Sequence, residues 1–177
     1  FLIILPLVLG PANNILIQSS AAVKFTDIIQ TSGIQFKHEN GMSYKKHFTE
    51  TLGSGVALFD YDNDNDFDLY LTNWGRNRLF KNDVQSFINI GENTTLESDS
   101  LSNGAGWGDF NNDGYTDIWS NNFKREDDVY LNPNGESAWE NSYNPMFLSA
   151  TQDVVPVDYN NDGQLDMFTP GLLIAHG

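Results

Sequence analysis

At 177 residues the chain is long enough to bury one sizeable core, and 40% hydrophobic with 19% charged residues is the balance of a folded domain, not of a disordered tail. Its 24 acidic against 9 basic residues give a formal charge of −15, a surface that repels nucleic-acid phosphates and anionic lipid, so neither is expected as a partner. The lack of any cysteine excludes disulfides, thiolate metal centres and cysteine nucleophiles, and leaves a tightly held metal as the staple open to an exported chain.

The chain opens on an apolar run, Phe1 to Leu9, of the length found in export signals and too short to span a bilayer. Gly10, Pro11 and Ala12 place small residues at −3 and −1 of a cleavage after Ala12, although the initiating Met and a basic start are lacking. Residues 1–23 therefore read as the remnant of an export signal or as an N-terminal segment; a buried strand or helix is the alternative. An extracytoplasmic location, secreted or in the cell envelope, is the expectation. No later stretch is apolar enough to cross a membrane.

Three segments then repeat without a gap: Asp60 to Asp68 (DYDNDNDFD), Asp109 to Asp117 (DFNNDGYTD) and Asp158 to Asp166 (DYNNDGQLD), each beginning 49 residues after the one before. Asp recurs at positions 1, 5 and 9 and an aromatic residue always follows the first. Short apolar segments precede the loops (Val56 to Phe59, Ala105 to Gly108, Val154 to Val157) and β-prone ones follow them (Leu69 to Thr72, Ile118 to Ser120, Met167 to Thr169). Such runs, bounded by Gly, Asn and Asp, predict two strands joined by the loop as a hairpin. Leu79 to Asn82 matches Val129 to Asn132, and each is followed by a polar turn and an aromatic, Phe87 or Trp139. The sum is about four short strands per repeat, hence an all-β chain of about three antiparallel β-propeller blades over residues 24–177.

The loop chemistry points to calcium, a hard cation that takes six to eight oxygens. Side chains at positions 1, 3, 5 and 9 and a backbone carbonyl at position 7 would form the cage. The first loop offers Asp60, Asp62, Asp64, Asp66 and Asp68; the second Asp109, Asn111, Asp113, Tyr115 and Asp117; the third Asp158, Asn160, Asp162, Gln164 and Asp166. Up to three Ca2+ ions are expected. Magnesium, which dehydrates reluctantly, suits such a cage less well. Position 6 needs a tight turn, which Gly114 and Gly163 supply and Asn65 tolerates. Ordinary polar turns have a similar composition, but ten carboxylates at ligand positions would repel one another without a cation. With four carboxylates against three plus an Asn, the first loop is expected to bind most tightly. An EF-hand is excluded because position 12 is Leu71, Ser120 or Thr169 rather than Glu, and because the flanks are strand-like.

The loops with their flanks, as in GVALFDYDNDNDFDLYLTN, resemble FG-GAP or VCBS-type repeats, the calcium-loop blades also seen in integrin α-subunit propellers. Phe25-Thr26-Asp27, Ser32-Gly33-Ile34, Phe36, His38-Glu39-Asn40-Gly41, Gly53-Ser54-Gly55-Val56 and Asn77 to Asn82 are similar to the opening of the ASPIC/UnbV, or cartilage acidic protein-like, group. The resemblance implies an exported propeller of seven or eight blades with calcium in its loops and a non-enzymatic role in binding a protein or glycan. Three repeats do not close such a ring, so the rest of the propeller is expected to lie outside this chain, and the C-terminal module that defines the group is not in it.

The remaining candidates are weaker. His38 and His47 read as hydrogen-bonded structural residues before they read as a zinc or acid–base pair. Trp74, Trp107, Trp119 and Trp139 read as core or interblade packing before they read as platforms for sugars. No phosphate-binding, serine-nucleophile or zinc-protease motif is present, so no enzyme is expected. The alternative is a propeller-fold enzyme, or the accessory domain of one, acting on polysaccharide; fold alone does not separate the two.

Overall fold

A computed structural model describes residues 23–45, 47–51, 53–92, 94–97, 101–123, 126–135, 139–143 and 153–170. Among the described residues ten strands run in chain order: β1 (Val56–Phe59), β2 (Asp68–Leu71), β3 (Arg78–Asn82), β4 (Phe87–Asn89), β5 (Ser102–Gly108), β6 (Asp117–Asn122), β7 (Asp128–Leu131), β8 (Glu140–Tyr143), β9 (Val155–Val157) and β10 (Asp166–Phe168). β1 to β4 and β5 to β8 form two antiparallel four-stranded meanders, each in sequence order, and β9 pairs with β10 as the opening hairpin of a third. Two short 3-10 turns, Phe48–Thr51 and Thr95–Glu97, are the only helical pieces among the described residues. The fold is all-β, built from propeller blades. The expected signal segment lies outside the described residues, apart from Val23.

The three hairpins share one register. Phe59 opposes Asp68, Gly108 opposes Asp117 and Val157 opposes Asp166, so the position-9 aspartate always opens the second strand across from the last residue of the first. The blades then pack by repetition. Tyr61, Tyr70 and Leu79 of the first blade meet Ile118 and Ala105 of the second in one buried cluster. The same positions one repeat later, Phe110, Trp119 and Val129, meet Met167 and Val154 in the next. Each fully buried side chain of this size contributes about 1.5–3 kcal/mol, so the interblade layers are the main source of stability.

One difference from the sequence expectation has a physical cause. β5 and β6 extend beyond the expected strand segments, because Ser102, Asn121 and Asn122 are buried yet bonded to polar partners, and a polar strand reads as loop. Ser102 Oγ donates to Asn122 Oδ1 at 2.9 Å, and Asn77 Nδ2 donates to Tyr70 Oη at 3.0 Å and Ser102 Oγ at 3.1 Å. Among the described residues the first strand starts at Val56. The described residues before it form an irregular segment held on the first blade by Glu39 N–H to Asn73 Oδ1 at 2.8 Å. Of the tryptophans, Trp119 and Trp139 are buried, whereas Trp107 is 42% exposed and stacks on Phe59 of the adjacent blade, ring centroids 6.5 Å apart.

Candidate metal centre

Each aspartate loop is tied by the same internal hydrogen bonds. The position-1 carboxylate accepts the N–H groups of positions 5 and 6: Asp64 and Asn65 on Asp60 at 3.1 and 2.8 Å, Asp113 and Gly114 on Asp109 at 3.0 and 2.8 Å, Asp162 and Gly163 on Asp158 at 3.1 and 2.9 Å. The position-5 carboxylate accepts the N–H of position 7, from Asp66, Tyr115 and Gln164 at 3.0, 2.9 and 2.8 Å. These bonds wind the chain tightly enough to require positive φ at two places. At position 6 Asn65, Gly114 and Gly163 stand at 72°, 90° and 84°. At position 4 Asn63, Asn112 and Asn161 stand at 60°, 61° and 61°. A Cβ on Gly114 or Gly163 would meet nothing, so glycine is there for its φ and not for space, which is why Asn65 can stand in the first loop.

Position 9 has a role the ligand pattern did not reveal. Asp68 and Asp117 are fully buried. Asp68 Oδ2 accepts the Tyr61 N–H at 3.0 Å and its Oδ1 the Asn82 N–H at 2.8 Å; Asp117 does the same with Phe110 and Asn132, both at 2.8 Å. The carboxylate thus clamps the loop to the end of the third strand. Burial pushes the Asp68 carboxyl up to about 6 and the Asp117 carboxyl upward too, against the lowering effect of those amides and with neighbouring aspartates adding to the rise. A positive charge beside them would reverse that shift.

The first loop brings Asp60, Asp62 and Asp68 together, with one carboxylate oxygen from each lying within 4.8 Å of the others. Asp62 Oδ1 is buried with no hydrogen-bond partner, an acceptor aimed at nothing in the protein. Its other oxygen, Oδ2, bonds the Lys81 ammonium, which also lies 3.4 Å from Asp64 Oδ2. These carboxylates hold the Lys81 ammonium above its ordinary pKa, the hydrogen bond it donates to Asp62 contributing most. The second and third loops form no such three-carboxylate cluster among the described residues: Asn111 and Asn160 replace Asp62, and each donates its amide to Asp113 or Asp162 at 2.9 Å. The position equivalent to Lys81 in the second blade is Leu131, packed against the interblade core. The oxygen-rich donor set and the orphaned acceptor of the first loop fit a hard cation.

The repeat with its hairpin register is matched by the profile of the FG-GAP-like repeat, twice, over residues 60–120 and 109–169. The chain belongs to the FG-GAP-like repeat family. No curated protein matches it. The two FG-GAP-like matches overlap on the Asp109 loop, whose neighbour is held close: Asn63 Nδ2 donates to the Gly114 carbonyl at 3.1 Å, and Asn132 Nδ2 donates to the Thr116 carbonyl at 3.0 Å and the Tyr61 carbonyl at 2.6 Å. The first two aspartate loops of the FG-GAP-like array therefore brace one another. The histidines add no second centre among the described residues: His38 Nδ1 bonds Ser54 Oγ at the surface, and no cluster of metal-ligating side chains includes a histidine. No helix among the described residues is long and apolar enough to cross a membrane.

Proposed function

We propose that the chain is a calcium-stabilised propeller module of an exported protein, secreted or held in the cell envelope, that binds a protein or glycan and catalyses no reaction. The observation that carries the calcium reading is the convergence of Asp60, Asp62 and Asp68 on one point with the buried Asp62 oxygen left over. Asp60, Asp62, Asp64 and Asp68 would hold the ion in the first loop; Asp109, Asn111, Asp113 and Asp117 in the second; Asp158, Asn160, Asp162 and Asp166 in the third. When bound, calcium supplies positive charge where acidic side chains crowd the hairpin end. The residues themselves set the turn and clamp it to the third strand. Export is supported by the apolar start, and kinship with the ASPIC/UnbV group by the segments from Phe25 to Val56. Equilibrium dialysis with radioactive calcium is the test. Two to three ions per chain are expected, dropping by one in Asp60→Ala/Asp62→Ala; a chain that retains no calcium at millimolar concentration would overturn the reading.

A further inference from the structure

Asn82 and Asn132 stand at equivalent places, at the end of β3 and directly after β7. Each serves the aspartate loop of its own blade. The Asn82 N–H donates to Asp68 Oδ1 at 2.8 Å and its Nδ2 to the Phe67 carbonyl at 3.2 Å. The Asn132 N–H donates to Asp117 Oδ1 at 2.8 Å and its Nδ2 to the Thr116 carbonyl at 3.0 Å. Both asparagines therefore hold positions 8 and 9 of their loops, and neither is a candidate ligand.

Asn132 does more. It is buried, and its Nδ2, which carries two hydrogens, also donates to the Tyr61 carbonyl of the first blade at 2.6 Å. Tyr61 is position 2 of the first loop, between the candidate ligands Asp60 and Asp62. Its N–H is held by Asp68 Oδ2 at 3.0 Å and its buried ring lies against Trp139, centroids 6.2 Å apart, so the Asn132 bond adds a third anchor to this residue. Asn132 reaches the same segment from a second side. Its Oδ1 accepts the Gly135 N–H at 2.8 Å, and Gly135 lies so close to Asp62 that a Cβ on it would stand 3.0 Å from the Asp62 Cβ. One buried side chain thus touches the backbone between Asp60 and Asp62, the turn against Asp62 and the carbonyl beside Asp117.

We propose that Asn132 is a positioning residue shared by the first and second aspartate loops, so that the first loop is completed by the blade that follows it. Residues that hold metal ligands in place without touching the ion set its affinity as well. Asn82, whose hydrogen bonds run to Asp68 and Phe67, positions the first loop alone. The effect on affinity rests on the calcium reading, whereas the shared clamp belongs to the calcium-free chain.

The test follows the amide resonances of the whole chain loop by loop. Asn132→Ala keeps its own N–H on Asp117 and loses the side-chain bonds, so calcium binding should weaken about ten-fold at both loops, and Asn82→Ala should weaken it at the first loop only. In chelator, Asn132→Ala should speed hydrogen exchange at Asp64 and Asn65 of the first loop as well as at Asp113 and Gly114 of the second, while Asn82→Ala leaves the second pair unchanged. Should Asn132→Ala not fold, the native Asn132 side-chain amide gives the answer. Its resonance should shift when calcium is added to Asp109→Ala/Asn111→Ala, in which the first loop is intact and the second is not, and stay in place once Asp60→Ala/Asp62→Ala is added. A chain that binds no calcium but shows faster exchange in both loops would sink the calcium reading and bear out the shared clamp. The proposal is overturned if Asn132→Ala speeds exchange or weakens calcium in the second loop alone, or if calcium bound by the first loop leaves the Asn132 amide unmoved.

Discussion

The Asp60 and Asp109 loops sit on adjacent blades, share one backbone and balance their negative charge differently. In both, the position-1 carboxylate accepts the N–H groups of positions 5 and 6, and the position-9 carboxylate joins the loop to the third strand. The first loop carries aspartate at positions 1, 3, 5, 7 and 9 and has the Lys81 ammonium on two of those carboxylates. The second carries aspartate at positions 1, 5 and 9 only and has Leu131 where the lysine would be. The hydrogen-bonded frame is therefore independent of the charge it carries, and one side chain on a neighbouring strand tunes the site. A divalent ion bound in the first loop would have to compete with Lys81 for Asp62. Such a displacement would work against the tighter binding expected of that loop from its ligand count, and the two loops should then bind calcium with similar strength.

The largest effect should come from the frame itself. Asp117→Ala leaves the Phe110 and Asn132 N–H groups without their acceptor, at about 1–3 kcal/mol each, for a total loss of about 3–5 kcal/mol. Asp166 lies in a more open loop and accepts the Tyr159 N–H at 3.2 Å, so Asp166→Ala should cost less than about 2 kcal/mol. Urea denaturation of both variants checks this, and equal losses would break the link between burial and clamp.

A smaller effect separates the loops. Gly135 stands at φ 79° where a Cβ would lie 3.0 Å from the Asp62 Cβ and 3.1 Å from its Cα. Gly135→Ala should cost about 1–3 kcal/mol and weaken calcium binding by the first loop while sparing the second. Unchanged binding by the first loop would show that its geometry does not depend on this neighbour.

Lys81→Leu sharpens the comparison most. Without the ammonium the first loop should bind calcium about ten-fold more tightly, while the calcium-free protein loses at most about 1 kcal/mol because its carboxylates then repel one another unopposed. Calorimetric titration alongside melting in chelator reads both signs. A variant that binds calcium no better would mean that Lys81 and the ion do not compete. Least of all, Asn65→Gly should stabilise the chain by at most about 1 kcal/mol by relieving a non-glycine residue at φ 72°, which thermal unfolding would resolve.

The hairpins, their loops and the blade count of the repeat were legible because spacing encodes them: Asp at positions 1, 5 and 9 with an aromatic at position 2 survives in all three copies. The identity of Asn63, Asn112 and Asn161 at position 4 was not read from the pattern, and their shared left-handed backbone is the reason for it. The clamp made by Asp68 and Asp117 was not legible either, because an aspartate that serves as a ligand and one that accepts two backbone amides have the same letter. Lys81 lay beyond the reach of a loop pattern, as it joins the site only through the β2–β3 pairing.

The claim that calcium is part of the folded structure is tested most directly by thermal unfolding of the whole chain in calcium and in excess chelator. Calcium at about one hundred times its dissociation constant should stabilise the fold by about 2.7 kcal/mol for each occupied site, raising the melting temperature by several degrees, with magnesium a weaker substitute. Superimposable curves in calcium and in chelator would contradict it.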